Sequence, residues 1–265
     1  MSTNQQHLRV RALTEGAMLI AAAQVLSYLK LYTLPNGGSL TPAMFPILLY
    51  GLRWGLGKGL MAGFVFGLMQ LLFDGAYAWG WQSMILDYLL AFTVLGFGGI
   101  YRRRVPHQGT ALVLGAVTTG AMRYVLHVIA GCTVWAGLSI PTEAALVYSL
   151  AYNATYMVPE TLVTALGAWY LSRAVDLRED TLSRAKNAPV RPAAFAVGLA
   201  GAAALLVAAV WDVVEIFRPL QDPETGDFII TNLSLVNWTT VGVVTAVGVT
   251  VWGILALIRR RLNRP

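Results

Sequence analysis

Three apolar stretches of the sequence carry side chains that such stretches ordinarily exclude. Asp87 opens the run ILDYLLAF, with Tyr88 beside it. Arg123 and His127 stand four residues apart in MRYVLHVIAGCTVW, on one face if the segment is helical, and Trp135 closes the run. In YSLAYNATY, the residues Tyr148, Ser149, Tyr152, Asn153 and Tyr156 fall within an arc of roughly 140° on a helix. Ionisable groups inside a membrane are costly, which makes them functional candidates. An acid, an imidazole, an amide and several rings at similar depth imply a pocket. Aromatic faces attract cations, a carboxylate supplies charge and acceptors, and Asp, His and Asn together can satisfy the edge of a nitrogen heterocycle. The expected guest is a small aromatic solute, and the same groups favour a cationic one. Each residue also has a plainer reading. Trp79, Trp81 and the tyrosines suit an interfacial belt, a lone helical histidine is commonly a packed residue, and Asn153 could bridge helices.

Catalysis finds little support. The sequence has no HExxH, no GxSxG and no Walker-type phosphate loop. His7, His107 and His127 are its only histidines and Cys132 its only cysteine, which excludes an intrachain disulfide and disfavours a His- or Cys-rich metal site. No metal and no cofactor are expected. An intramembrane enzyme using Asp87 and His127 as acid and base remains as an alternative from another class, without an activated nucleophile.

The segments holding these residues must be membrane helices. Of the 265 residues, 57% are hydrophobic and only 12% charged, against about a quarter charged in a soluble domain. Mean hydropathy is +0.61. Soluble enzymes, disordered chains and nucleic-acid binders are disfavoured, and the lipid bilayer is the surrounding medium. The net charge of +6 lies in knots between apolar runs: Arg9 and Arg11; Arg53 and Lys58; Arg102 to Arg104; Arg173 to Arg191; Arg259 to Arg264. Only Lys30, Arg123 and Arg218 stand outside them. Placing every knot in the cytoplasm satisfies the positive-inside rule.

Spans of about 20 residues are predicted near 13–31, 59–77, 83–101, 109–130, 142–171, 193–217 and 238–259. A shorter piece, 42–54, is broken by Pro42 and Pro46. Eight crossings put both termini in the cytoplasm of a multi-pass plasma-membrane protein. The expected organisation is a six-helix core over 1–172, a polar cytoplasmic linker over 173–192 and a two-helix extension over 193–265. Gly55, Gly59, Gly63 and Gly67 predict a smooth packing face, with a backbone-lined ligand path as the other reading. Asp212 and Glu215 are expected to snorkel to water from the seventh span.

Four stretches in order resemble the thiamine-specific S components of energy-coupling factor (ECF) vitamin transporters: LPNGGSL at Leu34–Leu40, RWGLGKGLMAGFVFGLMQLL at Arg53–Leu72, DYLLAF at Asp87–Phe92, and RYVLHVIAGCTVW with YSLAYNATYMVPE at Arg123–Trp135 and Tyr148–Glu160. The resemblance covers roughly residues 10–172. It implies a six-helix subunit that captures thiamine from outside and delivers it through a transmembrane coupling subunit driven by two cytoplasmic ATPases, the only users of ATP. Carried over residue by residue, it implies ligand contacts from Asp87, Tyr88, His127, Trp135, Tyr148, Tyr152 and Asn153. It further implies a loop closing over the ligand at Gly37, Gly38 and Ser39, and a docking face for the coupling subunit at Ala17 and Ala21. The sequence departs from the family pattern in its shorter acid, Asp87 for Glu, in Leu89 for a proline, in Leu34 for an aromatic, and in its two additional C-terminal spans. An S component for another small heterocycle, such as a thiamine precursor, is the runner-up reading.

Overall fold

The computed structural model describes residues 3–34, 37–75, 78, 80–137, 142–178, 182–185, 191–220 and 229–263. Helices form along the apolar runs, because a chain in hydrocarbon must pair its backbone groups within each segment. In order they are α1 (Thr3–Ser27), a hairpin of β1 (Tyr32–Thr33) and β2 (Ser39–Leu40), α2 (Met44–Trp54), α3 (Leu56–Asp74), α4 (Trp81–Arg104), α5 (Gln108–Gly137), α6 (Thr142–Ala174), a hairpin of β3 (Val175–Asp176) and β4 (Ser183–Arg184), α7 (Pro192–Phe217) and α8 (Trp238–Leu262). The chain divides into two compact units, Met1–Lys186 and Asn187–Pro265. Among the described residues six helices, α1, α3, α4, α5, α7 and α8, are long and apolar enough to cross a membrane. The architecture is that of an all-α, multi-pass membrane protein.

The other two expected crossings take different forms. The eleven residues of α2 reach only about 16 Å, roughly half the hydrocarbon thickness. This helix is buried on nearly every side from Met44 to Arg53, so it acts as a central rod. Its residues Leu48, Leu49 and Leu52 pack with Leu112 of α5 and Ala165 and Ala168 of α6. Met44 and Ile47 meet Ala23, Phe66, Phe92 and Leu95 on its other flank. The 33-residue α6 is long enough to cross, yet its row of Tyr, Asn and Glu lowers its apolar content.

Close approach between α3 and α4 depends on the expected glycine face. A Cβ at Gly67 would stand 2.6 Å from the Tyr88 carbonyl oxygen, so no larger residue fits without separating the helices. Gly55 does not share that face. It turns the chain directly from α2 into α3 with φ +90°, a left-handed value that favours glycine. Within α4 the helix is irregular: Met84–Leu90 is π-helical and Val94–Ile100 is 3-10. π-Turns of this kind are frequent at functional sites.

At the basic end, Arg53 is buried rather than solvated. Its guanidinium donates to both carboxylate oxygens of Glu15 and to the Leu177 carbonyl, tying α1 to α2 and to the segment after α6. The start of the expected linker is also folded. Gln108 bonds the carbonyls of Ser172 and Val175 and the Leu177 amide, and Arg178 donates to the carbonyls of Val105 and Pro106.

In the second unit, α7 and α8 pack through small residues; a Cβ at Gly248 would lie 2.6 Å from the Ala208 methyl. Asp212 does not simply snorkel: its Oδ2 accepts a hydrogen bond from Thr245 of α8 at 2.5 Å. A shared polar contact of this kind holds membrane helices together.

Candidate ligand-binding site

At the end of the core that carries the β1–β2 hairpin, a cavity of about 150 Å³ opens, with walls from α1, α3, α4, α5 and α6. One polar wall is made by α4 and α5. The π-helical turn carries Asp87, and Ser83, one turn earlier, donates to Asp87 Oδ2 at 2.6 Å. Asp87 Oδ1 lies 2.7 Å from His127 Nδ1. A carboxylate can only accept, so Nδ1 carries the proton, and in the neutral tautomer Nε2 is an acceptor. That Nε2 is buried and has no partner among the described residues. Tyr88 lines the same wall and is held by donation from its hydroxyl to the Asp74 carbonyl at 3.0 Å.

The α6 wall is a column of tyrosines. Tyr148 and Tyr152 are stacked with centroids 5.6 Å apart, and Tyr156 meets Tyr152 edge-on at 5.9 Å and His127 edge-on at 6.0 Å. Tyr152 and Tyr156 line the cavity, whereas Tyr148 is 2% exposed and supports Tyr152 without reaching it. Asn153 lines the cavity with its polar groups already engaged. Its amide donates to the carbonyl and hydroxyl of Ser149, and its oxygen accepts from the Tyr156 hydroxyl at 2.7 Å.

The hairpin closes onto this column. The Gly38 amide donates to the Tyr152 hydroxyl at 2.9 Å, and Gly37, Gly38 and Ser39 all line the cavity. A Cβ at Gly38 would stand 2.8 Å from the Tyr156 ring, so only glycine lets the hairpin seat so closely. Thr41, just past β2, donates to Glu160 Oε1 at 3.0 Å, and Arg123 bonds Glu160 Oε2 at 2.9 Å. Both members of this ion pair are about 95% buried and reach the cavity. The Arg123 guanidinium also sits 4.6 Å from the centroid of Phe92, a cation–π contact.

Electrostatics favour a cationic guest. Arg123 neutralises Glu160, and Lys30 neutralises Asp74 at 3.2 Å. Asp87 is the one cavity carboxylate with no lysine or arginine in an ion pair among the described residues. No lysine or arginine among the described residues offsets that carboxylate, which makes this wall the natural seat for a cationic group.

The structure thus gathers Asp87, Tyr88, His127, Tyr152, Asn153, Gly37, Gly38 and Ser39 around one cavity. The side chain of Trp135, and the whole of Trp79, lie outside the described residues. Trp81 is 68% exposed and does not line the cavity. Ala17 and Ala21 are exposed on α1 beside Leu13, Met18 and Val25, away from the cavity. Sequence reasoning did not place Thr41, Gln70, Ser83, Glu160 or Arg123 in the cavity wall. Ser83 was signalled by its i, i+4 spacing to Asp87, and Gln70 by being the only strongly polar side chain between Lys58 and Asp74.

This fold and site define a multi-pass helical membrane protein with a polar, aromatic-walled receptor cavity at one end. The chain belongs to the thiamine transporter protein family (Thia_YuaJ), whose signature matches residues 13–177. It is 34% identical over 174 residues to the thiamine transporter ThiT of Bacillus subtilis, covering 62% of this chain and 90% of that protein. It is 28% identical over 175 residues to ThiT of Lacticaseibacillus paracasei, covering 60% and 86% respectively. A solved structure of ThiT from Listeria monocytogenes matches with a TM-score of 0.54 at 25% identity, over 62% of this chain and 94% of that one. The family is one of transporters, which sets the intramembrane-enzyme reading aside.

Proposed function

We propose that this protein captures thiamine in the hairpin-end cavity and hands it to an ATP-driven ECF module. The observation that carries the reading is the Asp87–His127 pair, 2.7 Å apart in an aromatic-walled cavity, within a chain of the thiamine transporter family. Thiamine joins a cationic thiazolium to an aminopyrimidine. The Asp87 carboxylate offsets the positive ring, His127 Nε2 accepts from an N–H of the guest, and Tyr88, Tyr152 and Trp135 supply ring faces. Tyr148 acts by holding Tyr152 in its stacked position, and Asn153 by holding the Tyr156 hydroxyl. Gly37, Gly38 and Ser39 close over the bound molecule.

In this reading the hairpin end faces the outside and both termini the cytoplasm. The exposed Ala17 and Ala21 face of α1 meets the transmembrane coupling subunit, whose cytoplasmic ATPases consume the ATP. Residues 1–172 form the binding core, 173–192 the cytoplasmic connection and 193–265 a membrane extension. Calorimetric titration of the detergent-solubilised full chain tests the proposal. Thiamine binds with submicromolar affinity, and neither its pyrimidine half nor its thiazole half alone comes within 100-fold. Equal binding of one half alone overturns thiamine as the ligand in favour of a precursor.

A further inference from the structure

Gln70 lies on α3, 6% exposed, and lines the cavity. Its amide nitrogen donates to Gln24 Oε1 at 2.8 Å and to Ser27 Oγ at 3.1 Å, both on α1. This orientation is dictated by hydrogen-bond polarity. The Ser27 hydroxyl spends its only proton on the Gln24 carbonyl at 2.7 Å, so it can offer Gln70 nothing but a lone pair. Gln24 in turn spends its amide nitrogen on the Tyr28 hydroxyl at 3.0 Å, which turns its oxygen toward Gln70. Both hydrogens of the Gln70 amide are therefore committed, and only its oxygen is left.

That oxygen accepts no hydrogen bond from any described residue, yet it is not sealed off as a buried unpaired atom. Gln70 is part of the cavity lining, so the cavity is the open space beside that amide. An amide whose nitrogen is engaged by two neighbours and which borders a binding space has its oxygen left for a donor.

We infer that Gln70 is a ligand-contacting, specificity-determining residue whose amide oxygen accepts a hydrogen bond from an N–H or O–H group of the bound vitamin. The chain Tyr28–Gln24–Ser27 on α1 holds the amide so that this wall presents an acceptor and never a donor. Guests with a hydroxyl or amine at that position are selected over those with a carbonyl or ether there. The inference rests on thiamine being the ligand and adds a contact to that site.

The test uses the full-length protein in detergent with thiamine and two analogues, one lacking the hydroxyl and one with the pyrimidine amine replaced by an oxo group. Gln70→Met keeps volume and removes the acceptor. It weakens thiamine binding roughly 5-fold or more, while affinity for one of the two analogues, the one missing the relevant donor, stays at its wild-type value. Gln24→Met leaves Gln70 in place but frees its amide to turn, and gives a smaller loss with the same analogue dependence. Unchanged thiamine binding by Gln70→Met overturns the inference. Equal weakening for thiamine and both analogues also overturns it, since Gln70 then only shapes the wall. If Gln70→Met does not fold, a Gln24→Met variant that binds thiamine as wild type overturns it alone. Failure of the wild-type protein to bind thiamine sinks the functional reading itself, a result that the variants cannot mimic.

Discussion

Replacing Asp87 by Asn removes the one cavity carboxylate without a lysine or arginine partner among the described residues, while leaving the cavity's shape. The asparagine oxygen can still accept from His127 Nδ1, now 2.7 Å from Asp87 Oδ1. Its amide nitrogen can donate to Ser83 Oγ, which lies 2.6 Å from Oδ2 and is able to accept. Each of these two contacts keeps a donor and an acceptor, so the protein folds and its thermal midpoint in detergent changes little. The guest loses its counter-charge. Unit charges 4 Å apart attract by about 4 kcal/mol at an effective dielectric near 20. Part of that attraction is offset by desolvation, and charged hydrogen bonds measure about 1.5–3 kcal/mol net. Affinity for thiamine should thus fall roughly 10- to 150-fold. Isothermal calorimetry with thiamine and with an uncharged isostere of its thiazolium separates charge from contact: the variant loses little affinity for the neutral compound. Thiamine binding within twofold of wild type, or equal losses for both compounds, refutes the electrostatic argument.

Gly38→Ala places a methyl against the Tyr156 ring and the Tyr152 hydroxyl; stopped-flow fluorescence should show faster thiamine release with little change in capture. Arg123→Ala or Glu160→Ala leaves a buried charge alone at the cavity wall, costing about 3–5 kcal/mol. Each should lower the thermal midpoint sharply, and replacing both residues by Met should restore much of the loss. Ala17→Trp alters an exposed position away from the cavity, so thiamine binding by the isolated protein should persist while uptake by cells expressing the ECF module is lost.

Much of the frame is legible in the sequence because hydrocarbon permits few solutions. Apolar runs of membrane length become helices, and basic knots mark their ends, as in Arg102–Arg104. The close α3–α4 contact follows from glycine spacing, although Gly55 serves a turn. What was not legible depends on how helices register against one another. Residue types alone name no partner for Arg123, and only the packing of α5 on α6 assigns it Glu160. Asn153 shares a helix face with the tyrosines, but its amide turns back to Ser149 in its own helix, a local bond that periodicity does not reveal. Tyr148 sits on the same arc as Tyr152, yet it falls behind it by one turn. Arg53 read as a solvated knot residue; Glu15, an acid inside an apolar run, was the missing signal for its burial. The π-helical stretch around Asp87 leaves no mark in residue types.

The most direct test of the account is mass spectrometry of small molecules retained by the purified full-length protein after growth with thiamine. The account predicts that thiamine is released, unmodified, on denaturation of the wild type, and is absent or strongly depleted in preparations of Asp87→Asn. Recovery of a different molecule, or equal recovery of thiamine from both proteins, contradicts it.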